Sequence, residues 1–394
     1  MVSQYPAYDP DVTLLTERAV GLIWNAYEGY SDDHLDKTEL TPSVAKNIEL
    51  GVSVMQRGTA PTRGELASGK RLGERRAGQG VPLESVIQAY RSTERTILLD
   101  LFSGSARWPA ALTQRYANLI ITTFDLLTEE MINAYRETAS AIEAAQRRVE
   151  NELVVGIANG TVTPGGDLDR WTQALGVEQA TPWFSFVIGS TGETDHIDVL
   201  RLRQRIVRAL QNGVSGPVLF GDLGALTVAL ARPRASADVL RQRLQEAIES
   251  FGSPTDYAIG VGGISQDLTS AHESCREARD AAAVALTGRH ANRVVAFDDA
   301  LLEILLGREP TLATRLVDSR IGALRDHPHL IQTLEALVAC DHSQSAVAKA
   351  LFVHPNTVTY RIRRIQQLTG FDPLVMSDFI QMATALLWLR ADRH

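Results

Sequence analysis

The spacing of apolar residues changes twice along the chain, and these two changes limit the fold more than any other feature. From Asp11 to about Arg148, segments such as VTLLTERAVGLIW and TPSVAKNIELGVSVM repeat apolar residues three and four apart, the spacing of one helix face. Between about Gly156 and Phe297, short β-prone runs alternate with helical ones, and after about Pro310 helical spacing returns to the end. One bundle or one sandwich cannot satisfy all three patterns, so the sequence predicts a multidomain chain: an all-α N-terminal bundle, an α+β or α/β middle domain and an all-α C-terminal domain. The length of 394 residues agrees, because single cores stop growing at roughly 250 to 300 residues. The expected domains are 1–150, 151–305 and 306–394.

In the first region Pro42 and Pro82 are expected near first helical turns, where the missing N–H costs nothing. The last helix there is long. Ile120, Phe124, Leu127, Met131, Ala134, Ile142, Ala145, Val149 and Leu153 make one apolar stripe that outruns the bundle. It reads either as a core helix with a solvated extension or as a dimerising helix that joins a sensor to the next domain.

In the middle region WFSFVIGS, PVLFGDLGALTVALA, YAIGVGGIS and RVVAF supply strands, the second as a hairpin around Gly221-Asp222-Leu223-Gly224. IDVLRLRQRIVRALQN, ADVLRQRLQEAIES and SAHESCREARDAAAVAL supply the helices between them. The helices expected beyond Pro310 are TLATRLVDSRIGALRD, PHLIQTLEALVAC, SQSAVAKALF, PNTVTYRIRRIQQL and PLVMSDFIQMATALLWLR.

Charge is distributed unevenly. The net charge is −8, yet four cations and no carboxylate lie between His342 and Phe371. An acidic chain does not coat nucleic acid non-specifically, but one basic module within it can still bind DNA. With Pro355 as the first helical residue, Val358, Ile362 and Ile365 share one face. Asn356, Thr359, Tyr360 and Arg363 lie opposite, with Thr357 and Arg364 on the flank and Arg361 toward the core edge. The short SQSAVAKAL helix precedes it, with Val347, Ala348 and Leu351 inward, across a tight LFVH segment. Two helices so joined form a helix-turn-helix, whose second helix enters the major groove. Asn pairs with adenine and Arg with guanine, while Thr, Tyr and further Arg contact phosphates. One departure stands out: Phe352 occupies the turn position where many such units carry glycine.

The segment SQSAVAKALFVHPNTVTYRIRRIQQLTGFDP resembles the C-terminal helix-turn-helix of PucR/CdaR-type bacterial transcriptional regulators, over about thirty residues. The resemblance implies binding to double-stranded promoter DNA, with Asn356, Thr357, Thr359, Tyr360, Arg361, Arg363 and Arg364 as contact candidates. AIGVGGISQDLTSAHESCREARDAAAVA is similar to part of the GGDEF-like domain found in that family. An active diguanylate cyclase needs acidic residues at the central hairpin to hold divalent metal. The hairpin here, FGDLGALTV, keeps Asp222 and lacks the Gly-Gly start and the adjacent Glu, so no catalytic residue is expected. GKRLGERRAGQGVPLESVIQAYR resembles the helical N-terminal domain related to RsbR-type stress-signalling proteins. Its Lys70, Arg71, Arg75 and Arg76 read as a solvated helix face, or alternatively as a contact for an anionic ligand or acidic partner.

Other chemistry finds little support. Cys275 and Cys340 stand 65 positions apart without a CxxC or Cys/His partner, so neither a disulfide framework nor a zinc site is expected. His327 and His329 flank Pro328 as in a helix-start turn. The glycines of VGG at 261–263 lack the P-loop Lys-Ser/Thr, so a strand-to-turn change explains them as well as a phosphate cradle does. No membrane-length apolar run appears, and MVSQYPAYDP lacks the order of an export signal. The expectation is a cytoplasmic, non-enzymatic, homodimeric or larger transcriptional regulator without cofactor or metal, responsive to an effector the sequence leaves unknown. The alternatives are a nucleotide-binding or cyclase-like enzyme using the middle domain, and a signalling adaptor acting through the N-terminal bundle.

Overall fold

The computed structural model describes residues 7–31, 35–192, 196–251, 257–287 and 293–391, and the chain divides into two compact units, 1–147 and 148–394. The first six residues of the opening MVSQYPAYDP segment lie outside the described residues.

The first unit is helical. It contains α1 (Val12–Ile23), α2 (Lys37–Arg57), α3 (Arg63–Gly78), α4 (Leu83–Ser103) and the start of α5 (Ala110–Ala158). Asp11 and Asp36 accept backbone N–H bonds as N-caps of α1 and α2, and Glu65 reaches back to the Thr62 N–H at 2.8 Å to start α3. Leu15, Ile23, Ile48, Val52, Met55, Ile97, Leu101, Ile120 and Phe124 share one core. The helix α3 can lie against α5 because its facing residues are Gly69 and Gly73. A Cβ on Gly73 would stand 2.3 Å from the Met131 carbonyl oxygen. Pro42 departs from expectation: it sits in the second turn of α2, where Thr41 Oγ1 donates to the Lys37 carbonyl, whereas Pro82 caps α4.

The long apolar stripe of α5 is not one continuous buried face. Ile120, Phe124, Leu127, Met131 and Ala134 are buried, Ser140 through Arg148 are exposed, and burial resumes at Leu153 in the second unit.

The second unit begins with a five-stranded sheet of β1 (Trp183–Ser190), β2 (Val214–Leu223), β3 (Leu226–Pro233), β4 (Tyr257–Ser265) and β5 (Val294–Ala296). The order is β2-β3-β1-β4-β5, antiparallel except for the β4-β5 pair. Strand β1 is buried on both sides, as side-chain alternation requires of a central strand. Phe184, Phe186 and Ile188 meet α7 (His196–Leu210) and α8 (Ala237–Glu249). Trp183 and Val187 meet the end of α5, α6 (Asp167–Leu175) and α9 (Ala271–Leu286). The helix α6 escaped the sequence reading because it is one short segment between Gly165-Gly166 and Gly176.

Two glycine expectations are corrected. Gly221 and Asp222 lie on strand β2 opposite Val228 and Thr227, so the hairpin turn is Gly224-Ala225, with Gly224 at φ +64°. A Cβ on Gly221 would stand 2.8 Å from Val154 Cβ, so its role is close approach of α5. Likewise, Gly260 and Gly262 admit α9, because added Cβ atoms would each lie 2.0 Å from a carbonyl oxygen of that helix. Packing explains Gly260 and Gly262 without any phosphate.

The chain then runs through α10 (Leu301–Arg308), α11 (Pro310–Arg320), α12 (Pro328–Ala339), α13 (Gln344–Ala350), α14 (Pro355–Thr369) and α15 (Met376–Ala391). The helix α10 was not expected, since LLEILLGR is apolar all round and shows no period. It runs across residue 305, and Ile304 packs with Ala258, Ala285 and Val295 of the middle domain. His327 and Pro328 do start α12, as N-cap and first residue.

Candidate nucleic-acid interface

The helices α13 and α14 make the predicted pair, and the backbone between them explains the odd Phe352. Ser343 caps α13, which ends in a Schellman turn: the Phe352 N–H donates to Lys349 O at 3.2 Å and the Val353 N–H to Ala348 O at 3.0 Å. That turn requires a left-handed residue, and Phe352 takes it with φ +54°. Its ring is 95% exposed, so burial repays none of the backbone cost. Val353 and Ala348 close the turn within a core of Leu337, Val347, Val358 and Ile362.

His354 then caps α14, its Nδ1 accepting the Asn356 N–H at 3.2 Å, and Pro355 is the first helical residue. Val358, Ile362 and Ile365 are buried, the last in the core formed by α11, α12 and α15. Asn356, Thr359, Tyr360, Arg363 and Arg364 are exposed and Thr357 is half-buried. Tyr360 is 67% exposed, although an aromatic side chain without a polar task is normally covered.

The three arginines of α14 have different surroundings. Arg361 Nη1 donates to Thr333 Oγ1 at 3.3 Å and, at 3.5 Å, to His329 O, both on α12. Arg364 Nη1 donates to Gln367 Oε1 at 3.2 Å on its own helix. Arg363 has no such tie among the described residues. The predicted set is therefore divided: Arg363 is free to reach outward and Arg361 spans the α12–α14 junction. Lys349, the fourth cation of the acid-free window, is exposed on α13. His342 was not singled out in the sequence. Its Nε2 lies 2.6 Å from Pro373 O and its ring 4.4 Å from that of Phe379, which fixes the turn before α13 against the one before α15.

Asp222 in the middle domain is engaged rather than open. Arg203 Nη2 donates to its Oδ1, Thr227 Oγ1 donates to the same oxygen at 3.0 Å, and its backbone N–H donates to Asn151 Oδ1 at 2.8 Å. A carboxylate already neutralised by a guanidinium is a poor start for a two-metal site. No group of three or more His, Cys, Asp or Glu residues suited to a metal ion occurs among the described residues.

The N-terminal basic cluster also divides. Lys70, Arg71 and Arg75 are exposed, but Arg76 is wholly buried, so a solvated face does not describe it. Its position three and seven residues after Gly73 and Gly69 puts it on the buried face of α3, a phase that its charge and the neighbouring Arg75 mask in the sequence.

Three family models match in succession. They are the RsbT co-antagonist protein rsbRD N-terminal domain over 14–149, the GGDEF-like domain over 159–284 and the PucR C-terminal helix-turn-helix domain over 330–388. An uncharacterized protein of Mycobacterium tuberculosis is 37% identical over 246 residues, covering 61% of this chain and 57% of its own. The chain thus spans little more than half the length of that relative. The carbohydrate diacid regulator of Escherichia coli is 24% identical over 287 residues, covering 69% and 72%. A solved regulator of polyketide synthase expression from Bifidobacterium adolescentis is 20% identical with a TM-score of 0.34, over 62% of this chain and 94% of that one. No described helix is long and apolar enough to cross a membrane. With matches to an RsbRD-type helical region, a GGDEF-like domain and a PucR helix-turn-helix in that order, the chain resembles a PucR/CdaR-type bacterial transcriptional regulator.

Proposed function

We propose that the chain is a sequence-specific, double-stranded-DNA-binding regulator that acts as a homodimer and responds to an effector through its N-terminal and middle domains. The observation that carries this reading is the outer face of α14. It presents Asn356, Thr359, Tyr360, Arg363 and Arg364 to solvent in a window without carboxylates, while Val358, Ile362 and Ile365 anchor the other face. In this reading Asn356 and Arg363 read base edges, and Thr357, Thr359, Tyr360, Arg364 and Lys349 hold phosphates. Arg361 holds α14 at the correct tilt on α12. One such helix reads too few base pairs to find a single genomic site, hence paired half-sites and a dimer.

Selection of bound DNA from a random pool tests this. Recovery of a two-half-site motif supports it, and recovery of no enriched sequence sinks it. The competing enzyme reading places activity in the middle domain. The Arg203–Asp222 pair speaks against it, and GTP turnover with magnesium that Asp222→Ala abolishes would overturn the non-enzymatic reading.

A further inference from the structure

The N-terminal bundle buries a cation that has no counter-charge in contact with it among the described residues. Arg76, near the end of α3, is 0% exposed. Its Nη1 donates to the neutral Gln79 Oε1 at 2.7 Å, while Nε and Nη2 are buried with no acceptor in hydrogen-bonding geometry among the described residues. These two N–H groups share one edge of the guanidinium plane, the edge that grips a carboxylate through two parallel hydrogen bonds. The buried Tyr90 hydroxyl lies beside Asn47 and lines the same internal space together with Thr93 and Tyr30.

A guanidinium does not lose its proton inside a protein, so this charge cannot be removed by titration. The Tyr30 ring, 5.5 Å from the guanidinium carbon, offsets part of the burial through its π-face. Neither that ring nor Gln79 satisfies the open edge. An arginine held only for packing would be better replaced by an apolar side chain of similar volume, because a buried charge needs both a counter-charge and satisfied hydrogen bonds.

We propose that this is a binding site for a compact planar oxyanion of the carboxylate class, gripped by Arg76 Nε and Nη2 with the Tyr90 hydroxyl as a third donor. The free space beside the guanidinium is about that of one water molecule, so only a one-carbon oxyanion is small enough, and it enters the space that the Gln79 side chain vacates. Gln79 is the residue that must move to admit it. It bonds Arg76 through Oε1 and, through Nε2, donates to Glu39 Oε2 at 2.7 Å on the exposed side of the bundle. Breaking that strap opens a path from solvent to the fork. The site rests on this geometry alone, and only its use as a regulatory input rests on the proposed DNA-binding function.

The test uses the full chain with sodium formate titrated against sodium chloride at constant ionic strength, read by thermal unfolding and by NMR of ¹³C-formate. The expected result is a saturable rise in Tm with formate beyond that with chloride. It should be lost in Arg76→Lys, which keeps the charge without the fork, and shifted at least threefold in half-saturation in Tyr90→Phe, which keeps the ring. A formate response equal to that of chloride, or one unchanged in Arg76→Lys, overturns the site. So does an unresponsive wild type whose Arg76→Met variant is more stable, because water alone then satisfies the donors. Should Arg76→Met fail to fold, the Tyr90→Phe comparison still decides. Saturable formate binding that leaves affinity for the selected DNA unchanged upholds the site and removes only its regulatory use.

Discussion

Replacing Arg363 and Arg361 separately by alanine distinguishes a DNA-reading side chain from one that supports the helix. Arg363 is exposed and tied to nothing else among the described residues, so its loss should leave thermal unfolding unchanged. If it pairs with one base, Arg363→Ala costs about 1 to 3 kcal/mol of specific binding, or roughly a 5- to 160-fold rise in Kd. Arg361 is the opposite case. Its bonds to Thr333 Oγ1 and His329 O are long, at 3.3 and 3.5 Å, so the pair contributes about 0.5 to 1 kcal/mol to holding α14 on α12. Arg361→Ala should therefore lower stability by that amount and weaken binding less than Arg363→Ala does. Fluorescence anisotropy on the selected DNA at several salt concentrations separates the mechanisms. A base contact relaxes preference at one position and leaves the salt slope intact, whereas a phosphate contact lowers that slope by about 0.9. If Arg363→Ala binds as tightly and as selectively as the wild type, the assignment of the α14 outer face is wrong.

Further outcomes rest on single residues. Phe352→Gly should raise stability by about 0.5 kcal/mol, because relief of the left-handed backbone exceeds the added freedom of the unfolded chain; chemical denaturation measures it. Gly260→Ala should destabilise the middle domain by about 3 kcal/mol or more in urea unfolding, since its Cβ would meet the Ala278 carbonyl oxygen at 2.0 Å and neither backbone yields cheaply. Burial pushes the Cys275 thiol up to about 11, so the folded state keeps the proton that the unfolded chain gives up near pH 8.5 to 9. Stability present below that range should fall as pH rises toward about 11, and Cys275→Ala should flatten this alkaline loss in pH-dependent denaturation. At the acid end the Arg57 guanidinium, aided by the Thr62 N–H, holds Glu65 at about 2. The contribution of Glu65 is therefore present above about pH 4.3 and lost as pH falls toward 2, a dependence that Glu65→Gln should remove.

The elements most legible in the sequence were those in which periodicity and burial coincide. On β1, Phe184, Phe186 and Ile188 alternate with Val187 across a sheet covered on both faces, and on α14 the spacing of Val358, Ile362 and Ile365 placed the helix correctly. Periodicity failed where packing depended on a missing side chain. Gly221 and Gly262 look like turn or cradle glycines in the sequence, yet Gly221 is set by the Val154 and Val155 side chains of α5, and Gly262, like Gly260, by the backbone of α9. At Arg76 the charge misled rather than the spacing, since it follows Gly69 and Gly73 on the buried face of α3 and faces residues of α2 and α4.

Phe352 shows how far such reading reaches at the candidate interface itself. Its presence in place of glycine casts doubt on the turn, because a bulky residue disfavours positive φ. The structure resolves this without altering the turn. The Lys349 and Ala348 carbonyls still receive the two bonds that end α13, and the ring simply projects into solvent. The geometry of the turn is thus enforced from outside, by Val347, Ala348 and Val353 packing under α14, and not by the preference of the residue at its apex. An exposed ring on a strained backbone is retained at a cost to stability, and it stands between the exposed Lys349 and the N-terminus of α14 that a helix-turn-helix turns toward DNA. If Phe352 takes part in that encounter, Phe352→Gly will gain stability and lose DNA affinity together, whereas a gain in stability with unchanged affinity identifies the ring as a passive occupant of the turn.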